Sequence, residues 1–193
     1  AVHGEAKILG STKIAIALND GTNKEIEAKN IVIATGSVPT SIPGAEISGD
    51  KIISSTEALS LDEVPNRLVV VGGGYIGLEL GSVWSRLGSE VTVVEYLNRI
   101  TPGMDNEVSS AFQKILAKQG LNFLLNSQVI SVTEDGSNAS VVMKNRESNE
   151  EEVIKADYVL ISTGRKPYLE NLFSDGLDIQ KTDAGFIKTD SHL

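Results

Sequence analysis

Short apolar runs and longer amphipathic stretches alternate through the middle of the chain. The short runs are rich in β-branched or aliphatic residues and too short for helices, so each predicts a buried strand. They lie at residues 68–71, 91–94 and 121–125. Residues 76–87 and about 105–119 predict helices, each followed by a glycine stop. The second helix carries its apolar side chains at helical spacing, at Val108, Ala111, Phe112, Ile115 and Leu116. This alternation of strand and helix predicts a parallel, doubly wound sheet.

The first third of the chain predicts β structure followed by an irregular connection. Residues 6–18 and 26–33 alternate loosely between apolar and polar side chains around the turn signal Asn19-Asp20-Gly21. This pattern predicts a β-meander that runs into a buried strand. Residues 38–49 contain two prolines and two glycines and predict an irregular connection. Residues 54–57 match a capping box and predict a short helix through Leu59.

The last third of the chain returns to strand patterns. Residues 129–133 and 140–143 flank Asp135-Gly136 and predict a hairpin. Residues 145–152 are polar and charged and predict a loop tip, whereas residues 159–161 predict another buried strand. Together the patterns predict an α/β fold, in which a Rossmann-like parallel sheet with a β-meander insertion is flanked by β-rich segments.

Composition narrows the chemistry that this fold can carry. The 17 basic and 26 acidic side chains give a formal charge of −9, which argues against binding to nucleic acid or acidic lipid. No apolar run is long enough to span a membrane. The chain has no cysteine, which excludes disulfides and thiolate chemistry, and its two histidines, His3 and His192, lie near opposite ends. We therefore expect no metal site, and cofactor binding by backbone, hydroxyl and carboxylate groups stays open.

A glycine fingerprint joins the first predicted strand of the sheet to the helix that follows. Gly72, Gly74 and Gly77 have the spacing G-x-G-x-x-G. Gly72 would allow a tight turn, Gly74 would let a pyrophosphate approach the backbone, and Gly77 would let the helix pack close to the strand. The amide groups at the helix N-terminus would then hold the phosphates. A turn that only packs a helix on a sheet is the alternative.

Glu95 ends the next strand, about twenty residues beyond the fingerprint. A carboxylate there can accept hydrogen bonds from both adenosine ribose hydroxyls, at roughly 1.5–3 kcal/mol each. A 2′-phosphate would meet like charge, and no arginine lies directly beside Glu95, since Arg99 is the nearest base in the sequence. The sequence therefore predicts NAD over NADP by at least about 3 kcal/mol, more than a hundredfold. A solvated glutamate at a strand end is the alternative.

Several other residues near the fingerprint allow more than one interpretation. Tyr75 would point toward the cofactor cleft, and Glu79 would lie in the first turn of the helix, where a carboxylate suits the helix dipole. Trp84 lies in the middle of the helix and predicts a core or interdomain contact. The segments 33–36 and 161–164 both end a strand with a hydroxyl and a glycine, and a simple turn is favoured for each.

Four stretches carry a family resemblance that covers essentially the whole chain. They are residues 31–37 (IVIATGS), 54–61 (SSTEALSL), 72–88 (GGGYIGLELGSVWSRLG) and 164–168 (GRKPY). These stretches resemble the dihydrolipoamide dehydrogenase branch of the class I pyridine-nucleotide disulfide oxidoreductases, flavoproteins built from FAD, NAD and dimer-interface domains. The second and third stretches fit the glutathione and mercuric reductase branches less well.

The resemblance implies a role for each matching residue. The NAD pyrophosphate and nicotinamide ribose would be lined by Gly72, Gly73, Gly74, Tyr75, Ile76, Gly77, Leu78 and Glu79. Within this group Tyr75 would be a gate over the nicotinamide face of the flavin, and Glu79 would pair with a lysine outside this chain. Val129 would contact adenine through its backbone, and Gly164 would lie near the nicotinamide. The FAD side would be formed by Thr35, Gly36 and Ser37.

Several parts of the family pattern are missing from these 193 residues. They are the FAD fingerprint, the redox cysteine pair, the second FAD signature and the C-terminal domain with its His-Glu pair. We therefore expect an internal fragment without catalytic residues that does not hold FAD by itself. Residues 1–60 would be part of the FAD domain and a linker, 61–167 the NAD-binding domain, and 168–193 a return segment toward the FAD domain.

The resemblance also implies the activity of the longer protein. That activity is reoxidation of protein-bound dihydrolipoamide, with FAD as a cofactor and NAD as the hydride acceptor. A homodimer working with lipoyl domains of 2-oxoacid dehydrogenase or glycine cleavage complexes is implied, in the bacterial cytoplasm or mitochondrial matrix and not secreted. Three alternatives stay open: the NAD domain of another NADH-dependent flavoprotein reductase or oxidase, a stand-alone nucleotide-binding module, and an inert scaffold whose cleft is blocked.

Overall fold

The computed structural model describes residues 1–191, which form two compact units. One unit is the continuous stretch Pro39–Arg165, and the other combines Ala1–Val38 with the chain from Lys166 onward. The expectation about His192 lies outside the described residues, as does the very end of the predicted segment 168–193. The division into an NAD-binding domain and flanking FAD-domain segments stays a prediction.

Strands and helices alternate irregularly along residues 1–191. Their order is β1 (Gly4–Ile8), β2 (Lys13–Leu18), β3 (Asn23–Glu27), β4 (Ser37–Pro39), β5 (Ile52–Ile53), α1 (Ser55–Ala58), β6 (Arg67–Val71), α2 (Tyr75–Leu87), β7 (Glu90–Val94), α3 (Asn106–Lys118), β8 (Asn122–Leu124), β9 (Ser127–Glu134), β10 (Ala139–Asn145), β11 (Glu151–Ala156), β12 (Tyr158–Ile161) and β13 (Arg165–Pro167).

A five-stranded parallel sheet with the order β5–β12–β6–β7–β8 forms the centre of the larger unit. Val70 of β6 lies opposite Val93 of β7 and Leu160 of β12. Helices α2 and α3 make the connections from β6 to β7 and from β7 to β8, and both pack on the same face, as right-handed crossovers require. The predicted order of strands and helices is confirmed, with each end within one residue of its predicted position.

The sheet feeds two separate cores because successive residues of a strand point to opposite faces. The helix face joins Leu68, Val70, Val91, Val93 and Leu160 to Leu78, Trp84 and Leu116. The opposite face joins Val69, Val71, Val94, Val159 and Ile161 to Val132, Val141 and Met143 of the antiparallel strands. Both faces are therefore covered, which confirms the predicted buried strands, and Trp84 lies in the core.

Helix α3 buries a narrower stripe than its sequence predicts. Leu116 is buried and Phe112 is half-buried, but Val108, Ala111 and Ile115 are exposed. The helix precedes β8, which is an edge strand, so only part of its apolar face finds a covering partner. Its first turn is held instead by a buried polar contact, in which Ser109 Oγ lies 3.0 Å from Thr101 Oγ1.

An antiparallel meander of β9, β10 and β11 covers the second face of the sheet. The predicted hairpin is confirmed: Gly136 has φ +84°, and Asp135 Oδ1 accepts from the amide of Asn138 at 2.8 Å. The prediction that residues 145–152 form a loop tip is wrong at its end, because β11 begins at Glu151 and pairs with β10. The exposed side chains of β11 are mostly charged, so the sequence of this strand has no long apolar run.

The smaller unit contains a second antiparallel meander, β1–β2–β3. Its predicted turn at residues 19–21 is confirmed, with Gly21 at φ +84°, and a further turn at residues 9–12 separates β1 from β2. The prediction that residues 26–33 run into a buried strand is wrong, since β3 ends at Glu27 and residues 31–33 form no strand. Val32 is 87% exposed, because no strand of the described chain pairs with this segment. The α/β class with a Rossmann-like parallel sheet, a meander insertion and β-rich flanks is confirmed.

Candidate functional site

A cleft of about 930 Å³ opens in the larger unit at the carboxyl ends of its parallel strands. Ligands of open α/β sheets bind at this edge. The loop after β6 contributes Gly72, Gly74, Tyr75 and Ile76, the end of β7 contributes Glu95, Tyr96 and Leu97, and the remaining lining includes Ser127, Gln128, Val129, Ile130, Ser162, Thr163, Gly164 and Arg165. These four segments, which are separate in the sequence, thus line one cavity.

The three fingerprint glycines have different surroundings. Gly72 has φ +105°, and its amide donates to Val94 O at 2.9 Å, which turns the chain sharply out of β6. A Cβ on Gly77 would lie 2.6 Å from Gly72 O and 2.7 Å from Val70 Cγ1, so only glycine lets α2 approach the sheet this closely. A Cβ on Gly74 would meet no atom within 4 Å, which leaves its cleft side open. The predicted turn at Gly72 and close packing at Gly77 are confirmed.

The N-terminus of α2 faces the cleft without a side-chain cap. Gly74 is the N-cap residue, and the first bond of the helix runs from the amide of Leu78 to Gly74 O at 3.1 Å. The amides of Tyr75, Ile76 and Gly77 therefore lack an acceptor within the helix. Uncapped amides, the positive end of the helix dipole and the open space at Gly74 together fit a phosphate group.

Glu95 is buried at the floor of the cleft, with 8% of its surface exposed. Its Oε2 accepts from the amide of Gly73 at 2.5 Å, and its Oε1 accepts from the amide of Leu97 at 2.8 Å. Each carboxylate oxygen can accept a second hydrogen bond, so both can still bind ribose hydroxyls. Glu95 therefore holds the glycine loop, and the alternative of a solvated strand end does not describe it.

Ser162 is a structural part of the cleft that the sequence did not single out. Its hydroxyl donates to Val71 O at 3.0 Å or to Gly72 O at 3.2 Å, and its amide donates to Val71 O at 2.8 Å. These bonds tie the end of β12 to the start of the glycine loop. A signal was present, because Ser162 precedes a second glycine-bearing strand end, but local sequence favoured a simple turn there.

The loop after β7 supports the glycine loop from the other side. The amide of Thr101 donates to Gly73 O at 2.8 Å, and the fully buried side chain of Ile100 lies next to Gly73. Thr101 has φ +43°, an unusual value for a β-branched residue. The same residue bonds with Ser109 of α3, as described above. Neither contact has a motif in the sequence, since both depend on how the loop folds back.

The structure brings many of the predicted NAD residues to the cleft but not all of them. Those that line it are Gly72, Gly74, Tyr75, Ile76, Glu95, Val129 and Gly164. Tyr75 is 68% exposed, and Gly164 has φ +139°. Gly73 and Gly77 lie beneath the lining, and the side chain of Leu78 is buried in the helix-face core.

Glu79 differs from its predicted position. Helix α2 begins at Tyr75, so Glu79 is the fifth helical residue and lies in the second turn, not the first. The interaction of its carboxylate with the helix dipole is correspondingly weak, because that effect fades beyond the first turn. Its side chain is exposed and is not part of the cleft lining. Its implied pairing with a lysine stays a prediction.

The predicted FAD-side residues lie in the smaller unit. Thr35 Oγ1 donates to Tyr168 O at 2.6 Å, and the amide of Tyr168 donates to Gly36 O at 3.0 Å. Gly36 has φ +73°, and Ser37 begins β4. The three residues thus form a turn held against the segment that follows β13. Their role toward FAD stays a prediction.

Metal-ligand clusters and membrane-spanning helices are both absent from residues 1–191. No group of three or more histidine, aspartate or glutamate side chains in this part of the chain could hold a metal ion. No helix in it is both long and apolar enough to cross a membrane.

Comparisons with known proteins place these features in a family. Residues 2–193 match the model of the pyridine nucleotide-disulphide oxidoreductases. The chain is 49% identical over 182 residues to dihydrolipoyl dehydrogenase 3 of Pseudomonas putida, covering 93% of this chain and 39% of that protein. It is 48% identical over 192 residues to the mitochondrial dihydrolipoyl dehydrogenase of Dictyostelium discoideum, covering 98% of this chain and 39% of the relative. The chain thus spans about two fifths of the length of these relatives.

Solved structures agree with the sequence matches. LpdA from Mycobacterium tuberculosis superposes with a TM-score of 0.80 at 27% identity, over 94% of this chain and 40% of that one. The HOCl-induced flavoprotein disulfide reductase RclA from Escherichia coli superposes with a TM-score of 0.82 at 27% identity, over 97% of this chain and 41% of that one. The family resemblance inferred from the sequence is confirmed.

Proposed function

Since this chain belongs to the pyridine nucleotide-disulphide oxidoreductase family, we propose that it forms the NAD(H)-binding part of a dihydrolipoyl dehydrogenase. The longer protein would reoxidise protein-bound dihydrolipoamide, using FAD and passing hydride to NAD. It would act as a homodimer with the lipoyl domains of 2-oxoacid dehydrogenase or glycine cleavage complexes, in the bacterial cytoplasm or the mitochondrial matrix. This chain alone would bind the nucleotide without thiol–disulfide chemistry, because it has no cysteine.

The observation that carries this proposal is the open glycine loop beside a buried carboxylate. The amides at the start of α2 would hold the pyrophosphate, and the free space at Gly74 would let it reach them. Glu95 would accept from the two adenosine ribose hydroxyls, at the far side of the same loop. One carboxylate would thus orient the ribose and hold the loop that binds the phosphates.

The two ends of the nucleotide would lie along opposite parts of the cleft. Val129 would border the adenine, and Tyr75 and Gly164 would border the nicotinamide. NAD bound there would supply a ring carbon that accepts hydride. The side chain of Tyr75 is exposed at that end of the cleft. Thr35, Gly36 and Ser37 would contribute to the FAD site of the longer protein.

The proposal is tested by titrating the purified 193-residue chain with NADH and, in parallel, with NADPH. Energy transfer from Trp84 and the cleft tyrosines to the reduced nicotinamide reports binding. We expect saturable NADH binding and NADPH binding weaker by about a hundredfold or more. A folded chain that binds neither nucleotide would contradict the proposal, and equal affinity for both would remove Glu95 from its assigned role. Circular dichroism of the same sample shows whether the chain is folded.

A further inference from the structure

A positively charged side chain lies beside the proposed adenosine end of the cleft and belongs to no motif. The guanidinium carbon of Arg146 lies 3.8 Å from the centroid of the Tyr96 ring, and its Nη1 donates to Tyr96 O at 3.0 Å. Arg146 comes from the turn between β10 and β11, whereas Tyr96 directly follows Glu95 and lines the cleft. The fold thus brings a cation to the residue next to the carboxylate.

Backbone contacts fix the position of this arginine. The amide of Arg146 donates to Asn126 O at 2.7 Å, and the amide of Asn126 donates to Leu97 O at 2.9 Å. The side-chain amide of Asn126 also donates to Glu147 Oε1 at 3.0 Å. The turn after β10 is therefore joined to the loop after β7 through Asn126. The guanidinium is held by these contacts as well as by its stacking on Tyr96.

The guanidinium of Arg146 keeps most of its hydrogen-bonding capacity. Within residues 1–191 only its Nη1 has a protein acceptor, and no carboxylate lies within ion-pair distance of it. Arginine has five N–H donors in a planar fork that suits phosphate. Arg99, which is closer in sequence to Glu95, donates to Pro102 O at 2.7 Å within its own loop. What distinguishes Arg146 is that its guanidinium stacks on Tyr96, a residue of the cleft lining that directly follows Glu95.

We propose that Arg146 is a latent 2′-phosphate-binding residue, so that preference for NAD(H) over NADP(H) depends on Glu95 alone. This inference rests on the proposed function, because it requires the adenosine ribose to lie at Glu95. While Glu95 carries its charge, its repulsion of a 2′-phosphate outweighs the attraction that Arg146 exerts on the same group. Once the carboxylate is removed, Arg146 offers charge-assisted hydrogen bonds to the phosphate oxygens. The site then accepts NADPH, and this acceptance depends on Arg146.

The test compares the unchanged 193-residue chain with Glu95→Gln, Arg146→Gln and the double variant, each titrated with NADH and NADPH. Arg86→Gln, combined with Glu95→Gln, controls for the loss of one positive charge, because Arg86 is an exposed arginine on α2. We expect Glu95→Gln to bind NADPH at least about tenfold more tightly than the unchanged chain. The added Arg146→Gln should remove at least about fivefold of that affinity, with less than about a twofold change for NADH.

Salt dependence separates a phosphate contact from a change of loop structure. The NADPH affinity of Glu95→Gln should fall more steeply with salt than that of the double variant, because a phosphate contact with a cation is screened. Arg146→Lys keeps the charge without the planar fork and should retain part of the gain. A loop merely loosened by losing the Tyr96 contact would weaken NADH and NADPH together, with equal salt slopes, which would overturn the inference.

A second measurement avoids any damage that Glu95→Gln does to the glycine loop. Adenosine 2′,5′-bisphosphate and adenosine 5′-phosphate are titrated into the unchanged chain and Arg146→Gln. For each chain, the affinity for the bisphosphate is divided by the affinity for the monophosphate. This ratio should be at least about threefold higher in the unchanged chain than in Arg146→Gln. The inference would be overturned if this ratio were the same in the unchanged chain and in Arg146→Gln. It would also be overturned if the NADPH affinity of Glu95→Gln did not change when Arg146→Gln is added. Neither outcome would contradict the proposed function. An unchanged, folded chain that fails to bind NADH would overturn both.

Discussion

Gly77 and Gly74 lie three residues apart but have different roles, one in packing and the other in leaving space for a ligand. Gly77 faces backbone and core atoms of β6 and the glycine loop, whereas the Cβ side of Gly74 faces open space. Gly74 has φ −78° and ψ 173°, which alanine adopts without strain. A methyl group therefore disturbs packing at one position and only the binding space at the other.

The matched variants Gly77→Ala and Gly74→Ala separate these two roles. We expect Gly77→Ala to lower the free energy of unfolding by about 1–3 kcal/mol, because its Cβ overpacks against atoms that cannot move freely. Gly74→Ala should change it by less than about 0.5 kcal/mol but weaken NADH binding about tenfold or more. Urea denaturation and NADH titration measure the two effects. Similar losses of stability in both variants would contradict this assignment.

Glu95 and Arg146 show how much of the site can be predicted from local sequence. Glu95 is recognisable because strand, glycine loop and helix fix its distance from the fingerprint. Its bonds to the amides of Gly73 and Leu97 are not recognisable, because they depend on the path of a loop. The contact of Arg146 with Tyr96 joins positions fifty residues apart, so no spacing rule reveals it.

Helix α1 has only four residues and depends on its N-terminal cap. Ser54 Oγ accepts from the amide of Thr56 at 3.1 Å, and Glu57 Oε2 accepts from the amide of Ser54 at 2.8 Å and from its hydroxyl at 2.6 Å. The bond from the Ser54 hydroxyl is the main cause that holds the pKa of Glu57 below its ordinary value of 4.5. Ala58 O accepts from Trp84 Nε1 at 3.2 Å, so this helix also anchors the core.

The lowered pKa of Glu57 predicts an acid-sensitive contribution to stability. A carboxylate whose pKa is lower in the folded chain stabilises it above the unfolded pKa, and this stabilisation is lost as the pH falls through the folded value. Glu57→Gln cannot ionise. Its deficit in unfolding free energy should therefore be largest near neutral pH and shrink as the pH falls below about 5. Urea denaturation across this range measures it, with Glu63→Gln as an exposed control. A deficit that stays constant with pH would show that the charge of Glu57 is not involved.

Elements were predictable where periodicity and glycine stops agreed, as for β6, α2, β7, α3 and β8. Strand β11 is not recognisable from its sequence, because Glu151–Ala156 is mostly charged and the strand forms by pairing with β10. Residues 31–33 show the opposite error, in which a strand is predicted but does not form. Their apolar pattern predicts a buried strand, but burial needs a neighbouring strand, and none in the described chain pairs with them. An apolar pattern shows that burial would be favourable, but a segment is buried as a strand only where a neighbouring strand pairs with it.

The two compact units differ in how much apolar surface they bury. Among the described residues, the hydrophobic side chains that the smaller unit buries are only Ile8, Ile16 and Leu172, each 7–8% exposed. The larger unit covers both faces of its parallel sheet. Because burial of apolar surface is the main favourable term in folding, we expect the larger unit to be the more stable of the two.

Hydrogen exchange should resolve this difference. We expect the amides of β1, β2 and β3 to exchange through openings that cost much less free energy than those of β6, β7 and β12. The paired amides of β9 and β10 serve as an internal reference for an antiparallel ladder with a covered face. Protection in β2 equal to that in β6 would mean that the smaller unit is stabilised by something besides its own core.

The position of β12 has a consequence for how the chain folds as it is made. This strand comes last of the five in sequence but lies between β5 and β6, and it is the strand with which β5 pairs. About 100 residues separate Ile53 from Tyr158, roughly 5–20 s of ribosomal synthesis. During that interval β5 and the adjoining α1 lack β12, the strand with which β5 pairs, whereas β6, β7 and β8 can already associate. Until β12 is made, the side of β6 that β12 will cover has no partner strand. This is the stage at which we expect chaperones to bind the nascent chain.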